Sequence, residues 1–478
     1  MSGAEPRRAG HCSHHRERSP LSETPGVAEW REPLYGWQEV PPWPTALLAG
    51  FQHLLAVFGG IVTAPLIIAA GMGLSVADTN YLVTSALLIS GLATIVQISS
   101  WRGVGSGLLS IQGTSFTFIG AILFAWHALP GEWSDQQRLA AIFGSTAACS
   151  VLMMGLGRQL HRLGRVITPA VTGATVVLLG LTLTLTTLQN LHRVYGAAVA
   201  AGEAWKVLLL AGTVLAVTIA LALWRNPWCR MCAVMGGLGT GLLLALFLGD
   251  VDFSALRELQ WVFVPVPLRY GMTFDLSVFL TLMPIFLVTA MESVGDLTAT
   301  QALSRLPTSG PAYWARIRGG VVADAFNSLV AALFATFPNT TFSQNNGVIR
   351  LTGIASRHIG YVVAGLLILL GALPVVAGVF QVIPTPVIYG ATLLMFALIA
   401  LTGVNILRSG ALDRRGWWVA GGGIAGGLLL SQLAAVLPLP DQARLLLGFP
   451  VSTGAACAIL LEWLLPLART PEAQPAGR

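Results

Sequence analysis

Apolar residues in this chain fall into long runs broken by short polar stretches, and the runs have the length of membrane spans. A helix crosses the hydrocarbon layer of a bilayer in about 20 residues. Runs of that size lie at 44–71, 79–98, 138–157, 166–190, 204–224, 231–249, 274–300, 317–337, 359–380, 386–403, 417–436 and 443–467. Two more, 109–127 and 339–357, are apolar but open irregularly. Counting both as crossings gives fourteen segments. Outside them, residues 1–40 are polar, Arg-rich and broken by proline, with no apolar stretch of the kind a cleavable signal carries. They read as a disordered cytoplasmic tail, and residues 468–478 read the same way.

Positive charge tests the count. With both ends cytoplasmic, the inside loops hold Arg102, Arg158, Arg162, Arg165, Arg225, Arg230, Arg305, Arg316, Arg318, Arg357, Arg408, Arg414 and Arg415. The outside loops hold only Arg138, Arg193, Lys206, Arg257, Arg269 and Arg444. This is the positive-inside bias. It is lost if either irregular segment fails to cross, because every later loop then changes side. Composition agrees with a polytopic membrane protein: 54% of the 478 residues are hydrophobic and 10% are charged, against about 25% charged in soluble domains. The net charge of +6 and pI of 9.4 therefore reflect topology and not a nucleic-acid footprint.

The two irregular segments match each other. Residues 113–117 read Gly-Thr-Ser-Phe-Thr, and 339–343 read Asn-Thr-Thr-Phe-Ser. Each lies third in a group of seven spans. Seven is odd, so the second group enters the membrane upside down relative to the first. Paired interrupted segments at matching positions of such an inverted repeat point to a transporter's binding site. Hydroxyl-bearing and aromatic residues of this kind favour extended backbone. Two short strands that pair near the midplane satisfy each other's polar groups at a depth that water does not reach. Half-helices starting near Phe118 and Asn346 would then aim their free N–H groups at a shared cavity. The expected fold is all-α and polytopic, with fourteen segments in a 7+7 inverted repeat and short β-strands in segments 3 and 10.

Few ionisable groups lie well inside the spans: Glu292, Asp296, Asp324 and His53. Each costs at least about 2.5–3.5 kcal/mol at a helix centre and is a functional candidate by default. A hydrogen bond between helices is the competing reading, most of all for Asp324. Cys229 and Cys232 have CxxC spacing without a second pair, and read as two thiols at a helix end rather than as a metal or redox site. Glycines 421–423, 426 and 427, and 236, 237 and 239, permit close helix approach, which suits a gate or dimer face. No nucleophile triad, metal cluster or P-loop lysine is present in the sequence. The chain is not expected to be an enzyme, nor to hold a metal or cofactor.

The residues around the second irregular segment resemble a known signature. Gln344-Asn345-Asn346-Gly347 through Thr352-Gly353 is similar to the [Q/E/P]-N-x-G-x4-T-[R/K/G] motif of the nucleobase–ascorbate transporter, or nucleobase:cation symporter-2, family. Met291-Glu292-Ser293-Val294-Gly295-Asp296 resembles its acidic eighth-span motif, Gln52-His53 its first-span pair, and Gly113-Thr114-Ser115-Phe116 its third-span strand. Pro169 to Gly173 and Arg318 to Asp324 match further blocks, so that the likeness runs from about residue 40 to 465.

The resemblance implies a core domain in two parts, 41–163 and 273–382, and a gate domain in two parts, 164–272 and 383–467. It implies a homodimer through the gate and a nucleobase substrate. Glu292 and Gln344 would meet the base through their side chains, with Phe116, Ser115, Ser343 and Asn345 around it. Phe116 either stacks on the flat base or is packed core. Asp296, His53 and Asp324 join Glu292 as coupling or proton-relay groups. Gln52, Asn346, Gly347 and Thr352 are supporting residues, and Arg350 is not assigned to substrate.

The chemistry suits these roles. A carboxylate accepts two N–H bonds from a base edge, and an amide both donates and accepts. Gln followed by Asn-Asn-Gly resembles the xanthine and uric acid carriers, where uracil carriers of the family tend to have Glu. The expectation is a proton symporter for xanthine or uric acid in a bacterial inner membrane, working by an elevator-type movement. Na⁺ coupling, a uracil or ascorbate carrier, and an anion exchanger of the same architecture are the alternatives.

Overall fold

The computed structural model describes residues 34–160, 168–226, 229, 230, 232–251, 253, 262–409, 412–438 and 447–465. The tail at 468–478, most of the tail at 1–40, and Arg162, Arg165, Arg257 and Arg444 lie outside the described residues. Fifteen helices are described. In chain order they are α1 (Trp43–Met72), α2 (Val76–Ser99), α3 (Ile119–Ala128), α4 (Asp135–Arg158), α5 (Pro169–Ala200), α6 (Ala204–Ala222) and α7 (Ala233–Phe247). Then come α8 (Leu276–Leu303), α9 (Pro311–Leu333), α10 (Gln344–Thr352), α11 (His358–Gly371), α12 (Pro374–Gln381), α13 (Thr385–Ser409), α14 (Arg414–Val436) and α15 (Pro450–Leu464). Two three-residue strands complete the fold, β1 (Gln112–Thr114) and β2 (Asn339–Thr341).

The sequence sets many of these boundaries. Ser75, Thr168, Asp275 and Asp413 each accept a hydrogen bond from a backbone N–H of the first turn of α2, α5, α8 and α14, which is the N-cap role such side chains fill. Ser134 and Gln137 form a reciprocal capping box at the start of α4. Gly73 ends α1 in the left-handed conformation at φ 71°.

Eight helices are long and apolar enough to cross a membrane: α1, α2, α4, α5, α6, α8, α13 and α14. Helices α7 and α15, and the stretch Phe116–Ala128, are shorter apolar helices. Where the sequence predicts one span over 359–380, the chain instead bends by 74° between α11 and α12. Pro374 opens α12 and cannot continue the preceding hydrogen-bond ladder. Helix α9 carries Arg316, Arg318 and Asp324, and it packs along α4 with its Asp324 buried.

Packing is reciprocal. Helix α2 lies against α11, and α9 against α4; α6 lies against α7, and α14 against α15. Each pair maps onto the other when the chain is advanced by seven segments. Helices α5, α6, α7, α13, α14 and α15 pack chiefly with one another, as do α1–α4 and α8–α12 with the strands. Helices α5 and α13 approach so closely that a Cβ on Gly180 would stand 2.2 Å from the Ala400 nitrogen. The glycines of α14 also serve contacts within the chain: Gly423 and Gly427 face Ala458, Gly454 and the Pro450 carbonyl of α15. Cys229 and Cys232 are free thiols.

The strands meet within the group formed by α1–α4 and α8–α12. They run antiparallel, pairing Gln112 with Thr341, Gly113 with Thr340 and Thr114 with Asn339. The ladder is extended by Phe342 N–H to the Ile111 carbonyl (3.0 Å) and Ser115 N–H to the Pro338 carbonyl (2.9 Å). Gly113 has no room for a side chain: a Cβ there would lie 2.6 Å from both Ile61 and the Phe342 ring.

Candidate functional site

A cavity of about 510 Å³ opens where the strand ends, α8 and α10 face α5 and α13. It has two unlike walls. One carries the polar groups and comes from Ser115–Thr117, Met291, Glu292, Val294–Asp296 and Thr340–Gln344. The other comes from Pro169, Thr172 and Val176 of α5 and Ile399, Thr402 and Ile406 of α13. Among the described residues, no basic side chain lines it.

On the polar wall, Glu292 and Asp296 stand one turn apart on α8, the spacing that puts two side chains on one face. Each carboxylate takes a hydroxyl from one of the two irregular segments. Thr117 Oγ1 donates to Glu292 Oε2 at 3.0 Å, and Thr341 Oγ1 donates to Asp296 Oδ2 at 3.2 Å. The remaining carboxylate lone pairs stay free to accept from a ligand.

Helix α10 starts at Gln344, two residues before the position predicted from the sequence. Ser343, Gln344, Gly347 and Arg350 form its exposed face, while Asn345, Val348 and Ile349 are buried. Gln344 thus stands at the positive end of the helix dipole and at the cavity. Asn346 ties α10 to α8: its amide donates to the Asp296 carbonyl (3.2 Å), and its oxygen accepts from Thr300 Oγ1 (2.6 Å). Gly347 meets open space, and Thr352 Oγ1 closes the last turn on the Val348 carbonyl.

Phe116 packs tilted against Phe342 and edge-on against Phe396, with ring centroids 6.5 and 6.3 Å away, and it also lines the cavity. Phe396 belongs to α13, so this ring bridges the two helix groups. Ser115 Oγ accepts from the Thr117 N–H at 3.3 Å and caps the turn that leads into α3.

Other predicted residues lie away from the cavity. Asp324 sits behind the strands, where Gln112 Nε2 donates to it at 2.9 Å and Ser293 Oγ donates to it as well. Ser293 also pairs with Thr340, a cavity residue, at 3.2 Å. Asp324 therefore reaches the cavity through two hydroxyls and not directly. Asn345 points to the far side of α10, donating to the Leu109 carbonyl, and the fully buried His53 lies against it. The His53 ring nitrogens and the Asn345 oxygen complete no well-aligned hydrogen bond. Gln52 is half-buried on α1 and does not line the cavity.

Sequence reasoning gave no role to Thr117, Thr341, Thr172 or the α13 face. The hydroxyl pair was visible as residue types in the irregular segments, but its partners were not. The 399–402–406 spacing marks a helix face, and nothing in the sequence turns that face to a cavity and not to lipid.

The Permease family, Xan_ur_permease, matches residues 44–435. Xanthine permease XanP of Escherichia coli (strain K12) is 42% identical over 91% of this chain and 95% of its own. Xanthine permease XanQ of the same organism is 36% identical over 91% and 94%. Among solved structures, the murine Slc26a9 anion transporter, in an inward-facing state, superposes with a TM-score of 0.58. It shares 11% identity and covers 90% of this chain and 69% of that one. That likeness is one of fold.

Proposed function

The chain belongs to the Permease family, and from that premise we propose that it imports a purine nucleobase, xanthine or uric acid, by proton symport. The observation that carries the reading is Gln344 at the start of α10, sharing one wall of the cavity with Glu292. A purine edge alternates N–H donors with carbonyl acceptors, and these two side chains complement it. Charge-assisted hydrogen bonds in such a site are worth roughly 1.5–3 kcal/mol each. Phe116 bounds the flat face or the edge of the base, and Ser115 and Ser343 flank it. Asn345, with His53, supports α10 from behind, so its contribution to binding is indirect.

Proton coupling is assigned to Glu292, with Asp296 beside it and Asp324 joined through Ser293 and Thr340. A proton entering across 100 mV supplies about 2.3 kcal/mol to accumulation. The strand-bearing group, α1–α4 with α8–α12, is the part that carries substrate. It slides as an elevator against α5–α7 and α13–α15, which also form the homodimer contact. Both termini lie in the cytoplasm and the protein sits in the bacterial inner membrane.

The test is uptake of labelled xanthine into cells or proteoliposomes, with uric acid, guanine, hypoxanthine, uracil and ascorbate as competitors. Uptake that a protonophore collapses supports proton symport; uptake that follows a Na⁺ gradient instead would reassign the ion. The Slc26a9-like fold favours one second reading, an anion exchanger. The cavity argues against it, because two carboxylates and no cation line it. Chloride or sulfate flux without base transport would reverse that judgement.

A further inference from the structure

The residues before α1 do not trail off as the sequence predicts. Over Leu34–Glu39 the chain lies beside the connection that follows α10. Leu34 and Tyr35 both donate their N–H to the Gly353 carbonyl, at 2.7 and 3.3 Å. Tyr35 pairs with Ile354 as a parallel bridge, Ala355 N–H donates to the Tyr35 carbonyl (3.0 Å), and Arg357 N–H donates to the Trp37 carbonyl (3.0 Å). Ser356 Oγ donates to the Glu39 carbonyl. Side chains add to the backbone pairing. The guanidinium groups of Arg316, at the start of α9, and Arg357, just before α11, lie over the Trp37 ring, 4.5 and 5.8 Å from its centroid. Tyr35 packs on the cluster that holds Ile349, Ile354 and Phe342. One short strap therefore touches the ends of α9, α10 and α11.

Helix α10 has most need of it. At nine residues it spans about 13 Å, too short to hold its own shape without tertiary support. Asn346 anchors its first turn to α8. Its last turn ends on Gly353 at φ 70°, a left-handed residue whose carbonyl faces the strap. The substrate-facing Gln344 and the strap thus sit at opposite ends of one rigid rod.

We propose that Trp37 is a positioning residue for nucleobase binding: the strap Leu34–Glu39 fixes the cytoplasmic end of α10 and thereby sets where Gln344 stands in the cavity. The inference rests on the transport reading above. Loss of the ring frees two like-charged guanidinium groups to separate, and the strap loses its side-chain anchor.

The experiment measures xanthine uptake against concentration, normalised to the amount of transporter in the membrane. Trp37→Ala is expected to raise KM about fivefold, in line with loss of cation–π contacts, with kcat changed by less than about twofold. Trp37→Phe, which keeps an aromatic face, retains the wild-type KM. Arg316→Gln leaves the backbone pairing in place and raises KM by about twofold. It serves as the readout if Trp37→Ala does not reach the membrane. In a cysteine-free Trp37→Ala background, a disulfide between Tyr35→Cys and Ile354→Cys, residues already paired, restores the low KM on oxidation and loses it on reduction. A wild-type KM in both Trp37→Ala and Arg316→Gln, or an oxidised disulfide that restores nothing, overturns the proposal. Wild-type protein that takes up no xanthine overturns the transport reading, and this inference with it.

Discussion

The two irregular segments occupy the same place in the repeat and do different work. Both enter as a three-residue strand, and both carry a phenylalanine, Phe116 and Phe342, whose rings meet beside Gly60 and Gly113. They part company one residue beyond the matched pentapeptides. There the first segment has Phe118, buried edge-on against Phe286 of α8 at 4.8 Å, and continues into the apolar α3. The second has Gln344, exposed to the cavity, and continues into the amide-rich α10. Both segments line one cavity. The second presents the amide of Gln344 to it; the first offers Ser115 and Thr117, the latter donating to Glu292, and is filled with core from Phe118 onward.

Substitutions that exchange these properties break or sharpen the comparison. The largest effect is expected from Glu292→Gln, which keeps the shape but removes the charge and turns one of the two acceptor oxygens, one of which Thr117 uses and both of which the proposed substrate reading requires, into an N–H donor. Xanthine uptake at normal membrane abundance should fall by about 100-fold or more, the scale of two lost charge-assisted hydrogen bonds. Uptake within a few-fold of wild type would take Glu292 out of the site.

Next is Phe118→Gln, which makes the first segment resemble the second at the diverging position. It should create no second site. It should destabilise the protein by about 3 kcal/mol, since it removes a packed ring and buries an amide without partners. Thermal stability in detergent is the measurement, and an unchanged melting point would show that this position is roomier than its contacts indicate.

The converse change, Gln344→Leu, should leave stability near wild type, because the side chain faces open cavity. It should raise the xanthine KM by about 10- to 100-fold, the cost of one or two unpaired polar groups on the base. Thr172→Val, on the opposite wall, should shift competition among purine analogues by about threefold, one neutral hydrogen bond or less. Unaltered competition would confine recognition to the strand-bearing wall.

Much of this was legible in residue types. The irregular segments, the acidic pair on one face of α8 and the amide run all follow from the cost of placing polar groups in lipid. That cost makes each one conspicuous in a chain with 10% charged residues. Partners were harder to read. His53 and Asp324 are as conspicuous as Glu292, yet they lie behind α10 and behind the strands, because a penalty against lipid does not say which buried surface relieves it. The strap at Leu34–Glu39 was hidden for the opposite reason. Its sequence is short and proline-flanked, without the length or period of an element, and its order comes from pairing with residues some 320 positions away.

The sequence by itself determined that this is a polytopic membrane protein, and it singled out Gln344 and Glu292 as polar residues that lipid would not hold. Periodicity, charge placement and self-similarity are local properties, and each is written in consecutive residues. Tertiary structure alone decided which of the buried polar groups share the cavity. It set Thr117 on Glu292 and Thr341 on Asp296, put α5 and α13 across from them, and turned Asn345 toward His53 instead. Those choices depend on how helices distant in sequence pack, and close packing admits one arrangement among many that satisfy the same hydrophobic pattern.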